Sequence, residues 1–191
     1  MRRLIVIACV CCFVVIAGFG QSSSPKRLCR EEQQKTWQGE LLAVQDLTKR
    51  YLHYEFERGA GLYGGHPYAD SLRSVVHPIV VEWGGDSFYL ADSCSIVSIK
   101  NKKGNDKEYI VKLEFFNVRE VIPAYWKRKG PGKTIDRKIV RLTVRENKII
   151  PFETTYYSCQ AIVSFLENDV KSSIMTASEA DQILQNIGCK R

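Results

Sequence analysis

The feature that most constrains this chain is a change of hydrophobic period. From residue 36 to 58, Trp37, Leu41, Val44, Leu47, Tyr51, Tyr54 and Arg58 follow one another in steps of three or four. All but the last are apolar or aromatic, which is the stripe of an amphipathic helix. Glu40, Asp46, Lys49 and Arg50 fill its other faces. Beyond residue 88 the period falls to two. Tyr109, Val111, Leu113 and Phe115 alternate with Ile110, Lys112, Glu114 and Phe116, and Val140, Leu142 and Val144 alternate with Arg141, Thr143 and Arg145. A striped helix and half-apolar strands each bury one side, so the expected solution is a helix laid on an antiparallel sheet.

Turn chemistry sets the remaining boundaries. Four glycines and Pro67 interrupt residues 59–67, and a short helix is expected over 69–76. His77-Pro78 ends it, because the residue before proline is pushed out of the α region. Residues 79–83 read as a short strand or the base of a loop, before the turn residues Gly84-Gly85-Asp86. Four strand-like runs follow: 88–99, 108–118, 135–145 and one starting near Lys148. Glu146-Asn147-Lys148 is a tight hairpin turn. Residues 158–169 read as a helix, and Thr176-x-x-Glu179 is a capping box for a last helix that stops at Gly188. The expected fold is α+β: N-terminal helices on a four-stranded antiparallel meander, with C-terminal helices added. The 191 residues suit one domain.

The start of the chain reads as a targeting signal. Met-Arg-Arg precedes an apolar run from Leu4 to Phe19, and Gly18 and Gly20 place small residues before a cut at Gln21. The run is short for an uncleaved anchor helix, and the stretch before Cys9 is too short for a lipoprotein signal. The expected organisation is therefore a signal peptide over 1–20, a polar linker over 21–35 and one domain over 36–191. No transmembrane span is expected after cleavage. Secretion or a bacterial periplasm is the expected location, with eukaryotic secretion left open.

Cleavage leaves Cys29, Cys94, Cys159 and Cys189. An even number of cysteines in an exported chain points to disulfides, with three pairings open. The two near the termini and the two beside strands favour Cys29–Cys189 and Cys94–Cys159. No cysteine or histidine spacing suits a metal site, so neither metal nor cofactor is expected.

A long aromatic-bearing helix containing Val44-Gln45-Asp46-Leu47-Thr48-Lys49-Arg50-Tyr51-Leu52, a short helix near Leu72 and a meander from Phe88 to Phe152 together resemble the nuclear-transport-factor-2-like (cystatin-like cone) superfamily. The resemblance covers residues 36–157, and the C-terminal helices depart from it. It implies a curved sheet folded over the long helix with a pocket between them. Tyr51, Tyr54, Asp92, Tyr109 and Phe115 are the expected lining.

The candidate chemistry is sparse. Gly59-x-Gly61-x-x-Gly64 follows a helix, where a dinucleotide motif needs a strand, and reads as a loop. Gly132-Lys133-Thr134 lacks the first glycine of a phosphate loop. Asp92 stands in phase with Phe88, Leu90, Cys94 and Ile96, and a carboxylate on an apolar face must be paired, solvated or shifted in pKa. With His66 or His77 it could form an acid–base pair, which is the enzyme reading. A bulge or salt bridge is the plain alternative.

Charge is the clearest hint. Residues 100–145 hold 14 basic and 5 acidic side chains, while the rest of the exported chain sums to −4. Trp126, Lys127, Arg128, Lys129 and Lys133 form a basic loop suited to an anionic component of the cell envelope. Three functions are therefore carried forward. The first is a non-catalytic binding domain for an unknown small ligand, the second an acid–base enzyme, and the third an interaction protein that docks through the basic loop. No nucleic-acid partner is expected, and a homodimer is open.

Overall fold

The computed structural model describes residues 25–62, 65–78, 88–102, 105–121, 134–150 and 154–190. Helix α1 runs Pro25–Leu52 and continues as a π-helical turn, His53–Glu57. Helix α2 is Ala69–Val75. The strands are β1 (Phe88–Leu90), β2 (Ser93–Lys102), β3 (Asn105–Val121), β4 (Thr134–Arg145), β5 (Lys148–Ile150) and β6 (Tyr156–Tyr157). Helices α3 (Cys159–Lys171) and α4 (Ala177–Ile187) follow. The architecture is α+β, with a mostly antiparallel sheet of six strands among the described residues.

The chain divides into a unit of residues 1–39 and a unit of residues 40–191. In the first, residues 25–35, expected as a linker, are already helical. Pro25 suits a first helical position because its missing N–H has no partner there. Lys, Arg, Glu and Gln then sustain the helix by propensity alone, with no apolar stripe to mark it. Trp37, expected on the buried stripe, is exposed.

In the second unit, 17-residue β3 is the spine. It pairs with β4 along most of its length on one side. On the other side it pairs first with β2 and then with β1. The expected single run 88–99 is therefore two strands, separated at Ala91-Asp92. The cause is Asn117 on β3, which takes a left-handed conformation with φ 52°. Asparagine tolerates that region better than most residues, and the kink falls opposite the β1–β2 break, while β4 runs on unbroken and its register skips only the Asn117 position. The registers keep one frame across the break, from Leu90↔Arg119 to Ser93↔Phe116. Strand β6 adds a parallel pairing to β1, which no hairpin pattern announces.

Two apolar clusters form. Val44, Leu47 and Tyr51 of α1 pack with Phe56, Leu72 and Val75 on Val111, Leu113, Phe115, Leu142 and Val144 of the sheet. Ala161, Ile162 and Leu166 of α3 and Ala180, Leu184 and Ile187 of α4 pack on Phe88, Leu90, Val121 and Tyr157. Tyr89 and Tyr156 join the first cluster, while their strand neighbours Leu90 and Tyr157 join the second. Successive strand residues point to opposite faces, so the two helical layers cover opposite faces of the sheet around β1 and β6. Among the described residues, no helix is long and apolar enough to cross a membrane.

Candidate functional site

The expected pocket residues lie inside the first cluster. Tyr51, Tyr109 and Phe115 are buried, and Tyr54 is half-buried. Phe115 stacks on Tyr156 at 4.3 Å and meets Phe56 edge-on at 5.6 Å. The Tyr109 hydroxyl donates to Glu40 Oε2 at 2.7 Å. Tyr54 stacks on Tyr68 at 5.9 Å. The structure thus brings Tyr51, Tyr109 and Phe115 together as core.

At the centre of that core is a residue the sequence reading passed over. Glu55, in the π-turn, is 2% exposed. Burial pushes its carboxyl up to about 7. The Tyr157 hydroxyl and the Gly61 backbone N–H face it and pull partly the other way. Neither closes a hydrogen bond of normal geometry, so both carboxyl oxygens are unpaired among the described residues. The signal was present. Val44, Thr48, Tyr51 and Glu55 also follow steps of three and four, and Thr48 is fully buried with its hydroxyl donating to the Val44 carbonyl at 2.7 Å. Continuing the apolar stripe from Tyr51 to Tyr54 instead leads past Glu55.

The π-turn closes through Gly59, which has φ 67°, and its N–H donates to the Glu55 carbonyl at 3.0 Å. Gly61 lies so close that an added Cβ would sit 2.8 Å from both Glu55 carboxyl oxygens. Gly61→Ala is therefore expected to cost about 2 kcal/mol by overpacking. Combined with Glu55→Ala, the same change should cost less, because the clash has gone. Thermal melts of the four proteins check this, and strictly additive losses would count against the contact.

Asp92 is not on a buried apolar face. It is exposed in the β1–β2 break, where Oδ1 accepts from Arg119 Nη2 at 3.0 Å and Oδ2 from Asn117 Nδ2 at 2.9 Å. The expectation of an inward mid-strand carboxylate is corrected: the Asn117 kink turns Asp92 outward and gives it an arginine. His66 has other company. Its Nδ1 accepts from the Tyr68 N–H at 3.1 Å, and burial, with Arg58 nearby, holds its pKa below the usual histidine value. His77 lies at the end of α2, where its N–H donates to the Ile149 carbonyl at 2.6 Å.

The expected disulfide pairing is also corrected. Cys159 and Cys189 are bonded, and Cys94 is free and half-buried on β2. Neither Cys29–Cys189 nor Cys94–Cys159 forms. Packing α4 antiparallel to α3 returns the end of α4 to the start of α3, which proximity to a terminus could not reveal. The Cys29 side chain lies outside the described residues.

The basic loop residues Trp126, Lys127, Arg128, Lys129 and Lys133 also lie outside the described residues. The strands flanking it are described. On β3 and β4, Lys112 pairs with Arg141, Glu114 with Ile139 and Phe116 with Arg137, alternating with the buried Val111, Leu113 and Phe115. These six side chains therefore share the outer face. Ile139 is 61% exposed, and Val97 at the β2 bulge is 51% exposed. Arg137 lies 5.6 Å over the Phe116 ring and 3.8 Å from Glu114, a pair too exposed to neutralise it. The face mixes three cations with one carboxylate and exposed apolar side chains.

Among the described residues, no group of histidine, cysteine and carboxylate side chains is arranged to hold a metal ion. Comparison with protein-family models, with curated proteins and with solved structures finds no match.

Proposed function

We propose that this protein is an exported, non-catalytic docking domain that sits on an anionic lipid surface through the outer face of β3 and β4. The observation that carries the reading is the pattern Lys112, Phe116, Arg137, Ile139 and Arg141 on one sheet face, with Arg137, Ile139 and Arg141 exposed among the described residues. Cations there can meet phosphate headgroups while the apolar side chains enter the interface between them. The +9 balance of residues 100–145 extends the same sign beyond the face, into the loop of Lys127 to Lys133. Export is supported by the apolar leader and by the disulfide, which belongs to an oxidising compartment.

Co-sedimentation with phosphatidylglycerol-containing vesicles tests it. Binding is expected to weaken with salt and to vanish with pure phosphatidylcholine. Each basic side chain near such a surface contributes about 1 kcal/mol, so the double variant Arg137→Glu, Arg141→Glu should bind at least tenfold more weakly. Unchanged binding by that variant would remove this face from the function.

A second reading has one specific observation behind it. The unpaired Glu55 carboxyl among Tyr51 and Tyr157 supports a small polar ligand held between helix and sheet, as in the resemblance to the nuclear-transport-factor-2-like superfamily. A reproducible extra mass in native mass spectrometry, lost in Glu55→Gln, would favour it over surface docking.

A further inference from the structure

Arg58 is a cation without a partner. It directly follows the π-turn, and its N–H donates to the His53 carbonyl at 3.1 Å. That bond between residues five apart widens the turn and brings His53 and Arg58 against the same ring. The Arg58 guanidinium carbon lies 5.6 Å from the centroid of the Tyr68 ring, and the His53 ring meets Tyr68 edge-on at 6.0 Å. Tyr54 lies nearly parallel to Tyr68, at 24°. His66 completes the cluster, 5.8 Å from Tyr68. Arg58 is half-buried, and its Nε is shut off from solvent with no hydrogen-bond partner among the described residues. Its guanidinium forms no ion pair among them either. The acids on the π-turn and α2 are committed elsewhere. Glu57 is held by His53 Nδ1 at 2.8 Å, Asp70 by Arg73 at 2.9 Å, and Glu55 is buried in the core. A buried donor without an acceptor costs free energy, so a native site supplies one from outside the chain.

We propose that this cluster binds a small aromatic carboxylate, whose oxygens take the Arg58 guanidinium and whose ring lies against Tyr54 and Tyr68. Paired guanidinium N–H groups match a carboxylate in a bidentate fork. Charge favours a carboxylate over a phosphate. The site offers one unmatched cation, which suits a monoanion, and a dianion would be repelled more strongly by Glu57. Burial, with the Arg58 charge nearby, holds the His66 pKa below the usual histidine value, so His66 adds no second cation at neutral pH. Two tyrosine rings beside the cation favour a flat ring over an aliphatic chain. The π-turn packs on the Phe115 side of the sheet through Phe56. The site therefore lies away from the Arg137 and Arg141 face used for docking, and both can be occupied at once.

The test is a titration of the native protein with perdeuterated benzoate, read from the NMR signals of the histidine ring protons. Benzoate is expected to shift the His53 and His66 signals saturably. Acetate, which has no ring, should bind about fivefold more weakly, and inorganic phosphate should also bind more weakly than benzoate. Arg58→Gln should weaken benzoate binding about tenfold. Arg58→Lys keeps the charge without the fork and should weaken it too, so it decides the matter if Arg58→Gln does not fold. Tyr54→Leu should bring the affinity for benzoate toward that for acetate. No saturable shift at His53 or His66 overturns the proposal. So does benzoate binding that both Arg58 substitutions leave unchanged, or a preference for phosphate over benzoate.

Discussion

Replacing Phe115 by alanine is expected to lower the unfolding free energy by about 4 kcal/mol, in the range for a buried phenylalanine. The ring is 1% exposed and is held by Tyr156 and Phe56. It also sits mid-way along β3, the strand that pairs with three others. Its removal leaves a cavity that paired strands cannot collapse to fill. Urea denaturation at neutral pH checks this, with the midpoint falling and the slope unchanged. A loss below about 1.5 kcal/mol would show that the ring borders open space rather than close-packed core, and would favour the ligand-pocket reading over docking.

Glu55 sets the second expectation, a dependence of stability on pH. Its carboxyl stands near 4.5 in the unfolded chain and about 7 in the folded one. The unfolded chain therefore gives up this proton first as pH rises. Stability from the neutral acid is fully present below pH 4.5, is lost as the pH rises through 7, and is level above that. A shift of this size corresponds to about 3 kcal/mol. Glu55→Gln cannot ionise, so the difference between wild type and variant should change by that amount between pH 4.5 and 8. Denaturation at a series of pH values measures it. A difference that stays constant across the range would mean that Glu55 is charged in the fold, with a partner of opposite sign.

The alternation of Tyr109 through Phe116 and of Val140 through Arg145 determined the β3–β4 pair. The buried set Val111, Leu113, Phe115, Leu142 and Val144 could be read off directly, because a period of two admits one buried face. The stripe of Val44, Leu47 and Tyr51 did the same for α1, and Thr176 with Glu179 marked the start of α4, where the capping box is formed. These are local signals, carried by residues a few positions apart. What tertiary structure alone decided lies between residues far apart in sequence. The left-handed Asn117 split one expected strand into β1 and β2 and turned Asp92 toward Arg119, 27 residues away. The antiparallel return of α4 along α3 chose Cys159 for Cys189. The core closing around the π-turn stripped water from Glu55, and no pattern of neighbours along the chain encodes desolvation, because it depends on which distant side chains arrive.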